Sequence, residues 1–488
     1  MGIGCIVTAL KGVLEKAGQE RPAHRYPNDW WGGHSCLWDF QSDTRIAFST
    51  RPEAGSRERQ IDAETMRQPL VTSTALGWST FSGGTDLSVA TGPGHTYFAH
   101  FLAPPGWWGE GEHGMRALVT GGAGLIGSHI VDLLLERGHF VRILDNLEPT
   151  VHLEGRPDWI PAGAEFLEAD VRDEAAWERA LAGIDTIFHQ AAYGGFAPEI
   201  SKMTAVNALG TTLMFEVIKK KALPIRWVVT ASSQAVYGEG LYACKTHGEF
   251  HPPLRAEDRF RRGLWEVPCP QCGADAEGRP TRESTDADVT GVYSISKYFE
   301  ERLTLAMGRE LGIGATALRY SLTYGPRQSL FNPYSGICSI FSTRLLNGMP
   351  PVIYEDGKQS RDFIFVKDVA AANLLVAEDE RSNGSVFNVG TGKATPVVEF
   401  ARKLAKAYGV DIEPVTPGYF RPIDLRHLFA NTERLSGLGF KAAHSIDQGI
   451  AQYVAWIRSH GKPKEYFTRA EEYLKQLRIV RHADLTNG

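Results

Sequence analysis

Cysteine is scarce in this chain, with six residues in 488, too few for a disulfide framework. No run of about 18 apolar residues occurs, so no segment of the sequence is built to span a bilayer as a helix. Neither sign of charge is in excess. The formal net charge is −5, which gives no electrostatic case for nucleic acid or an anionic membrane as partner. The opening residues MGIGCIVTALKGVLEKAG lack a basic n-region and hold only a short apolar core, which argues against a secretory signal. Ile6 stands where N-myristoylation wants Ser or Thr. The compartment expected is the cytoplasm. What is present is ordinary: 43% hydrophobic and 22% charged residues, the composition of a globular protein with room for two or three domains.

From Met115 onward, apolar strand-like runs alternate with helical stretches. The runs are RALVTGG, FVRILDN, AEFLEADV, DTIFHQAA, RWVVTASS and ATALRYSLTYG, with amphipathic segments such as HIVDLLLERG between them. This alternation predicts a parallel sheet covered on both faces. The first turn places glycines at Gly121, Gly124 and Gly127, followed by a helix that includes Leu125 and Ile126. Glycines at such a turn let backbone N–H groups approach a pyrophosphate at a helix N-terminus. Glycine triplets are common, so the weight rests on their context. A strand precedes, a helix follows, and Asp145 ends the second strand. An acid there suits ribose hydroxyls and repels a 2′-phosphate, which favours NAD over NADP. Asp170, at the end of the third strand, suits either a hydrogen bond to adenine or a strand-end cap.

Tyr293 and Lys297 open the helical segment YSISKYFEERLTLAMGREL and share one helix face at a spacing of four. An isolated tyrosine is a poor base at neutral pH. A neighbouring ammonium and an oxidised nicotinamide both favour the phenolate, making a base for a sugar hydroxyl. Tyr-x-x-x-Lys alone is weak evidence. It gains weight from Ser233, beside Ser232, at the end of the fifth strand, on the edge where open α/β sheets bind ligands.

Together VTGGAGLIGS, LDNL, SSQAVYG, YSISK, LRYSLTYGPRQ and RDFIFVKDVA resemble the extended short-chain dehydrogenase/reductases that act on nucleotide sugars. The likeness runs from Met115 to about Ile479. It implies a Rossmann-type doubly wound parallel sheet over 115–240 and 291–321. A smaller C-terminal substrate-binding domain with some returning Rossmann elements would fill 322–480, leaving a tail at 481–488. It implies NAD held by Gly121, Gly124, Leu125, Ile126, Gly127, Asp145, Asn146, Asp170, Val171, Ala191, Tyr293 and Lys297. Ser233, Tyr293 and Lys297 form the implied catalytic set, with Ser232 and Ser233 facing the substrate. Arg361 and Arg421 match positions that hold the substrate's diphosphate, a task suited to planar, permanently charged guanidinium; Arg426 is a weaker candidate of the same kind.

The similar 4,6-dehydratases carry an Asp-Glu pair after the catalytic hydroxyl residue, and similar decarboxylases carry a glutamate there. This chain has Gln234 and Ala235. With neither acid present, hydride removal and return remain, which is epimerisation of a nucleoside-diphosphate sugar, expected at C4. The alternatives are a dehydratase or decarboxylase with displaced acids, a net oxidoreductase, and a non-catalytic NAD-binding scaffold. One departure concerns the sugar. The family's RYFN asparagine is replaced in Arg319-Tyr320-Ser321-Leu322, so either the ligand sits differently or Ser321 or Thr323 compensates. Similar enzymes pair through two helices of the nucleotide domain, so a homodimer is expected.

Between VYGEG and GVYSISK the chain inserts Leu241 to Thr290. Cys244-x-x-His247 and Cys269-x-x-Cys272 fit a tetrahedral Cys₃His zinc site on a small zinc-ribbon-like insertion. Free surface thiols or a redox CxxC are the other readings. The segment is poor in apolar residues, so a structural zinc would supply its folding energy. With four protein ligands, no open position remains for chemistry.

Residues 1–114 read differently. Leu, Ile, Val and Phe number 20 of 114, below the level of a packed domain, yet six of the eleven tryptophans fall here. No sustained period or repeat runs through the segment. Gly109-Glu110-Gly111-Glu112 would be encoded by a purine-rich stretch of the kind that recruits a bacterial ribosome. The expectation is a poorly ordered or non-native leader, with the natural protein beginning at Met115.

Overall fold

The computed structural model describes residues 114–194, 199–330, 336–461 and 463–484. The expectation for the leader therefore lies outside the described residues.

Seven strands form the central sheet: β1 (Arg116–Thr120), β2 (Phe140–Asp145), β3 (Glu165–Glu168), β4 (Thr186–His189), β5 (Trp227–Ser233), β6 (Gly314–Tyr320) and β7 (Ser385–Val389). All pair in parallel in the order β7-β6-β5-β4-β1-β2-β3. The inner strands are apolar along their length because helices cover both faces. Ala117, Leu118 and Val119 of β1 are wholly buried. On one face, Val131 and Leu134 of the Leu125–Glu136 helix join Val369, Ala372 and Val376 of the Val366–Glu378 helix. The other face is closed by Trp177 and by Met214, Phe215 and Ile218 of the Gly210–Lys221 helix. The order reverses beside β1, where β4 and β2 flank it, the switch point at which open sheets of this kind bind ligands.

After β6 the chain builds a second core. The helices Ile337–Leu346, Val397–Tyr408 and Ile446–Ser459 converge on Phe341, Phe363, Phe400, Leu404, Tyr453 and Ile457. The Phe363 and Phe400 rings stack with centroids 4.1 Å apart; truncating a fully buried phenylalanine such as Phe400 costs about 3–5 kcal/mol. Midway through this half the chain returns to the first layer and adds β7 to the sheet edge beside β6. Arg481–His482, assigned to the tail from sequence, pairs antiparallel with Tyr419–Phe420.

The insertion forms an antiparallel ribbon of Leu241–Cys244, Gly248–Phe250 and Glu277–Arg279. Its apolar content is small but used: Tyr242, Val267 and Ala276 bury one another against Phe250. Phe260 stacks on Phe420 of the substrate half at 5.1 Å, in a small cluster with Ala483. The ribbon thus leans on the substrate half as well as on itself.

Candidate active site and Cys/His cluster

The glycine turn closes over β1 with no room to spare. Gly121 has φ +65°, a left-handed conformation. A Cβ on Gly127 would lie 2.2 Å from the Gly121 carbonyl oxygen, and one on Gly121 2.8 Å from the Ala191 nitrogen. Gly124 caps the following helix without a side-chain acceptor, so first-turn N–H groups face a cavity of about 290 Å³. Gly121, Gly124, Leu125, Ile126, Gly127, Asp145, Asn146, Asp170, Val171 and Ala191 all line it. A glycine cradle opening on free amides fits a dinucleotide. Asp145 ends β2 and accepts hydrogen bonds from the Ala123 and Leu147 amides at 3.0 and 2.9 Å. Burial pushes its carboxyl up, and those amides oppose the shift. Asp170 is gripped by Arg172 and also accepts from Asn146. The Arg172 bond dominates in holding its pKa at about 2.

A second cavity, of about 1100 Å³, adjoins the first; Leu125, Ile126, Ala192 and Gly194 line both. Ser233, Gln234, Ala235, Tyr293, Ser321, Leu322, Arg361 and Arg421 line the second. The Tyr293 ring lies flush on Gly194, where a Cβ would come within 2.5 Å of the ring. The Ser233 hydroxyl oxygen accepts from the Ala235 amide at 3.1 Å, which leaves its proton to donate. Lys297, expected with Tyr293 at the cofactor, is buried and lines neither cavity; it is ion-paired with the wholly buried Glu300. Burial pushes the Glu300 carboxyl up to about 7, against the pull of Lys297. Sequence reasoning missed Glu300. Its signal was an acid at i+3 from the lysine, one position before Glu301.

Two expected substrate contacts are otherwise engaged. The Ser232 hydroxyl donates to Glu301 at 2.7 Å, and Glu301 also holds Arg319. Arg426 is wholly buried and pairs with Glu266, Glu355 and Asp356. It does not line the cavity. Three carboxylates that the fold gathers around it saturate its guanidinium, so Arg426 is withdrawn from the diphosphate set. Arg361 differs. Its guanidinium donates to the carbonyl oxygens of Ser360, Leu425 and Arg426, and burial pulls its pKa below the ordinary value. A buried cation held by carbonyls on a cavity wall suits an anionic ligand. Arg421 lies over the Tyr354 ring and pairs with Asp424 at 2.9 Å. Beside Leu322, Thr323 donates to the Ser321 carbonyl, whereas the buried Ser321 hydroxyl has no partner among the described residues; the same holds for the side-chain oxygens of Gln234 and Gln359.

Away from the cavity, Cys244, His247, Cys269 and Cys272 bring one ligand atom each within 4.8 Å of the rest. The Cys244 and Cys272 sulfurs are 3.8 Å apart, and His247 Nδ1 lies 3.6 and 3.4 Å from Cys244 and Cys269. Ordinary zinc bond lengths in a tetrahedron require about 3.8 Å between sulfurs and about 3.6 Å from sulfur to nitrogen. Gly248 and Gly273, directly after the pairs, have φ +77° and +73°. Amides of Thr246 and His247 turn onto the Cys244 sulfur and pull its pKa down to about 6.

The family model described as the NAD dependent epimerase/dehydratase family matches residues 117–256 and 269–390. A dTDP-L-rhamnose 4-epimerase of Burkholderia thailandensis is 34% identical over 352 residues, covering 70% of this chain and 95% of that relative. A putative UDP-glucose 4-epimerase of Methanocaldococcus jannaschii is 30% identical, covering 71% and 99%. Among solved structures, the Thermotoga maritima UDP-glucose 4-epimerase with UDP-glucose superposes with a TM-score of 0.59 at 30% identity, covering 71% and 99%. The Thermus thermophilus UDP-glucose 4-epimerase complex with NAD gives 0.57 at 30%, covering 70% and 99%. This chain belongs to the NAD dependent epimerase/dehydratase family.

Proposed function

We propose that the chain is an NAD-dependent isomerase that inverts C4 of a nucleoside-diphosphate sugar. NAD, held by the glycine turn and Asp145, would supply a reversible hydride acceptor. Tyr293 takes the proton from the sugar hydroxyl and gives it back, while the Ser233 O–H holds the same oxygen. Arg361 and Arg421 grip the diphosphate, so the keto-sugar can turn over its tethered phosphate arm. Free oxygens on Gln234, Ser321 and Gln359 receive ligand hydroxyls.

One observation carries the choice of reaction. The acids on the wall of the larger cavity, among the described residues, are Glu355 and Asp424, and both are paired with arginines. Among the described residues on this wall, no unpaired carboxyl is available to eliminate water or assist decarboxylation. Ile200, Met203 and Val292 line this cavity together with the uncharged Ser233, Gln234 and Ser294, which supports a neutral sugar, such as the rhamnose of the Burkholderia relative. Incubation with a panel of UDP- and dTDP-sugars, read by NMR, tests this. A C4 epimer should form from at least one; loss of water or carbon dioxide, or NADH accumulating stoichiometrically, refutes it.

The Cys/His cluster is proposed to hold one structural zinc, with the contact distances above in its support. Metal analysis after chelator-free purification should find about one zinc per chain, and less than half that amount excludes it. Ligand thiols need a reducing compartment, in keeping with the cytoplasm; no helix among the described residues is long and apolar enough to cross a membrane. A homodimer through the nucleotide domain is proposed from Leu209, Ile295 and Phe299, all exposed. Sedimentation velocity tests it.

A further inference from the structure

The segment Asp424–His427 is held from two sides. Toward the cavity, Arg361 donates to the carbonyls of Leu425 and Arg426 at 2.7 and 3.1 Å, and Arg421 pairs with the Asp424 carboxylate. The other grip comes in large part from the insertion, alongside Glu355 and Asp356 on the Arg426 guanidinium and Ser360 on the His427 ring. Arg255 donates to the Asp424 carbonyl at 2.8 Å, and the His427 amide donates to the Tyr242 hydroxyl at 2.8 Å. Glu266 binds both the Arg426 guanidinium and the His427 ring. Glu239, at the entry to the insertion, accepts from the Arg426 amide at 2.8 Å. Gly278 lies against His427 so closely that a Cβ there would come within 2.7 Å of the histidine Cβ.

Two of these grips are carried next to thiol ligands. Tyr242 lies two residues before Cys244 on the same strand, and Glu266 three residues before Cys269. The ribbon's own core is only Tyr242, Val267 and Ala276 with Phe250, too little to fix those positions without a cross-link. The chain of contacts runs from Cys244 through Tyr242 and His427 to Arg426, whose carbonyl holds Arg361. The dinucleotide cavity shares none of these residues.

We propose that metal in the Cys/His ribbon positions the arginines that receive the nucleoside diphosphate, so that metal occupancy sets substrate affinity while NAD binding is independent of it. The proposal rests on the zinc reading and on the diphosphate role of Arg361 and Arg421. Tyr242, Arg255 and Glu266 are positioning residues, acting through the 424–427 segment. Loss of the metal frees Tyr242 and Glu266, and the segment then keeps only the Arg255 and Glu239 polar contacts of the insertion's grip.

The test uses the full chain in three forms: as purified, stripped of metal with a chelator, and reloaded with Zn²⁺. Calorimetry with UDP and with dTDP reads the site directly. Stripping should weaken the tighter of the two by about tenfold, within the range usual for coupled sites, and KM should rise in parallel. The kcat should change less than about twofold, bound NAD should stay constant, and Zn²⁺ should restore affinity. Tyr242→Phe supplies a metal-independent arm, keeping its zinc while weakening the same diphosphate about threefold or more. Zinc removal that leaves diphosphate affinity unmoved overturns this proposal alone. So does parallel loss of NAD, which would mark the ribbon as a general scaffold. Absence of zinc from the purified chain overturns the metal reading and this one together. Failure of the zinc-loaded chain to bind either diphosphate overturns this proposal along with the epimerase reading.

Discussion

Replacing Ser321 by alanine removes an oxygen that no group among the described residues uses. Ser321 is buried and lines the large cavity, and its hydroxyl has no hydrogen-bond partner among the described residues. A hydroxyl left unsatisfied costs about 1–3 kcal/mol of desolvation. Ser321→Ala should therefore leave the ligand-free protein as stable or raise it by about 1 kcal/mol, which moves Tm upward by about 2–4 °C. Substrate binding should respond in the opposite sense. If Ser321 stands in for the asparagine absent at Leu322, its loss costs one hydrogen bond of about 0.5–1.5 kcal/mol, or roughly 2- to 13-fold in KM. The assay pairs thermal unfolding without substrate with steady-state kinetics on the active sugar nucleotide. Thr323→Val is the control, because its hydroxyl is held by the Ser321 carbonyl and its change should leave KM alone. A Ser321→Ala protein that is less stable and has an unchanged KM would refute the reasoning, since the hydroxyl would then be a structural group.

Tyr293→Phe should keep NAD bound and lose about 10²- to 10⁴-fold in turnover; near-normal kcat with full NAD content would remove the tyrosine from proton transfer. Asp145→Ala should weaken NAD and relax discrimination against NADP, measured as the ratio of the two dissociation constants, and an unchanged ratio counts against the assignment. Arg426→Ala leaves Glu266, Glu355 and Asp356 without their shared cation and should cost about 3–5 kcal/mol of stability, read by denaturant unfolding; a raised KM at full stability would return it to the substrate set. Glu300 is held at about 7 against an ordinary 4.5, so between those values the folded chain binds more proton than the unfolded one. Its contribution therefore falls as pH rises from about 4.5 to 7. Glu300→Gln should flatten the decline, and an identical slope in both proteins would show that another group titrates.

The nucleotide half was legible because its signals are local. RALVTGG, RILDNL and RWVVTASS each combine a buried strand with the turn that follows it, and those strands are β1, β2 and β5. The strand SVFNV is β7, but its partner β6 lies far back in the chain, and no local period says which sheet a short apolar run will join. Arg361 and Arg426 show the same limit at the site. They are the same residue type in similar motif contexts, and only the fold brings Glu266, Glu355 and Asp356 to one of them. Ser321 and Thr323 were equal candidates in sequence; which hydroxyl is occupied depends on a backbone carbonyl's direction. Glu300 was visible one turn from Lys297, but its complete burial was not.

The ribbon enters and leaves the enzyme at one doorway, since Leu241 pairs directly with Arg279. In genetic terms the segment is a cassette: joining its two ends with a short turn leaves the path from Ser233 to Tyr293 intact. Its electrostatics are not so separable. Excision would take Arg255 and Glu266 away, leaving Glu239 without its arginine and the buried Arg426–Glu355 pair with only Asp356 beside it. Removing the ribbon in one step would unbalance the buried charges of the substrate half, so the two can change only together.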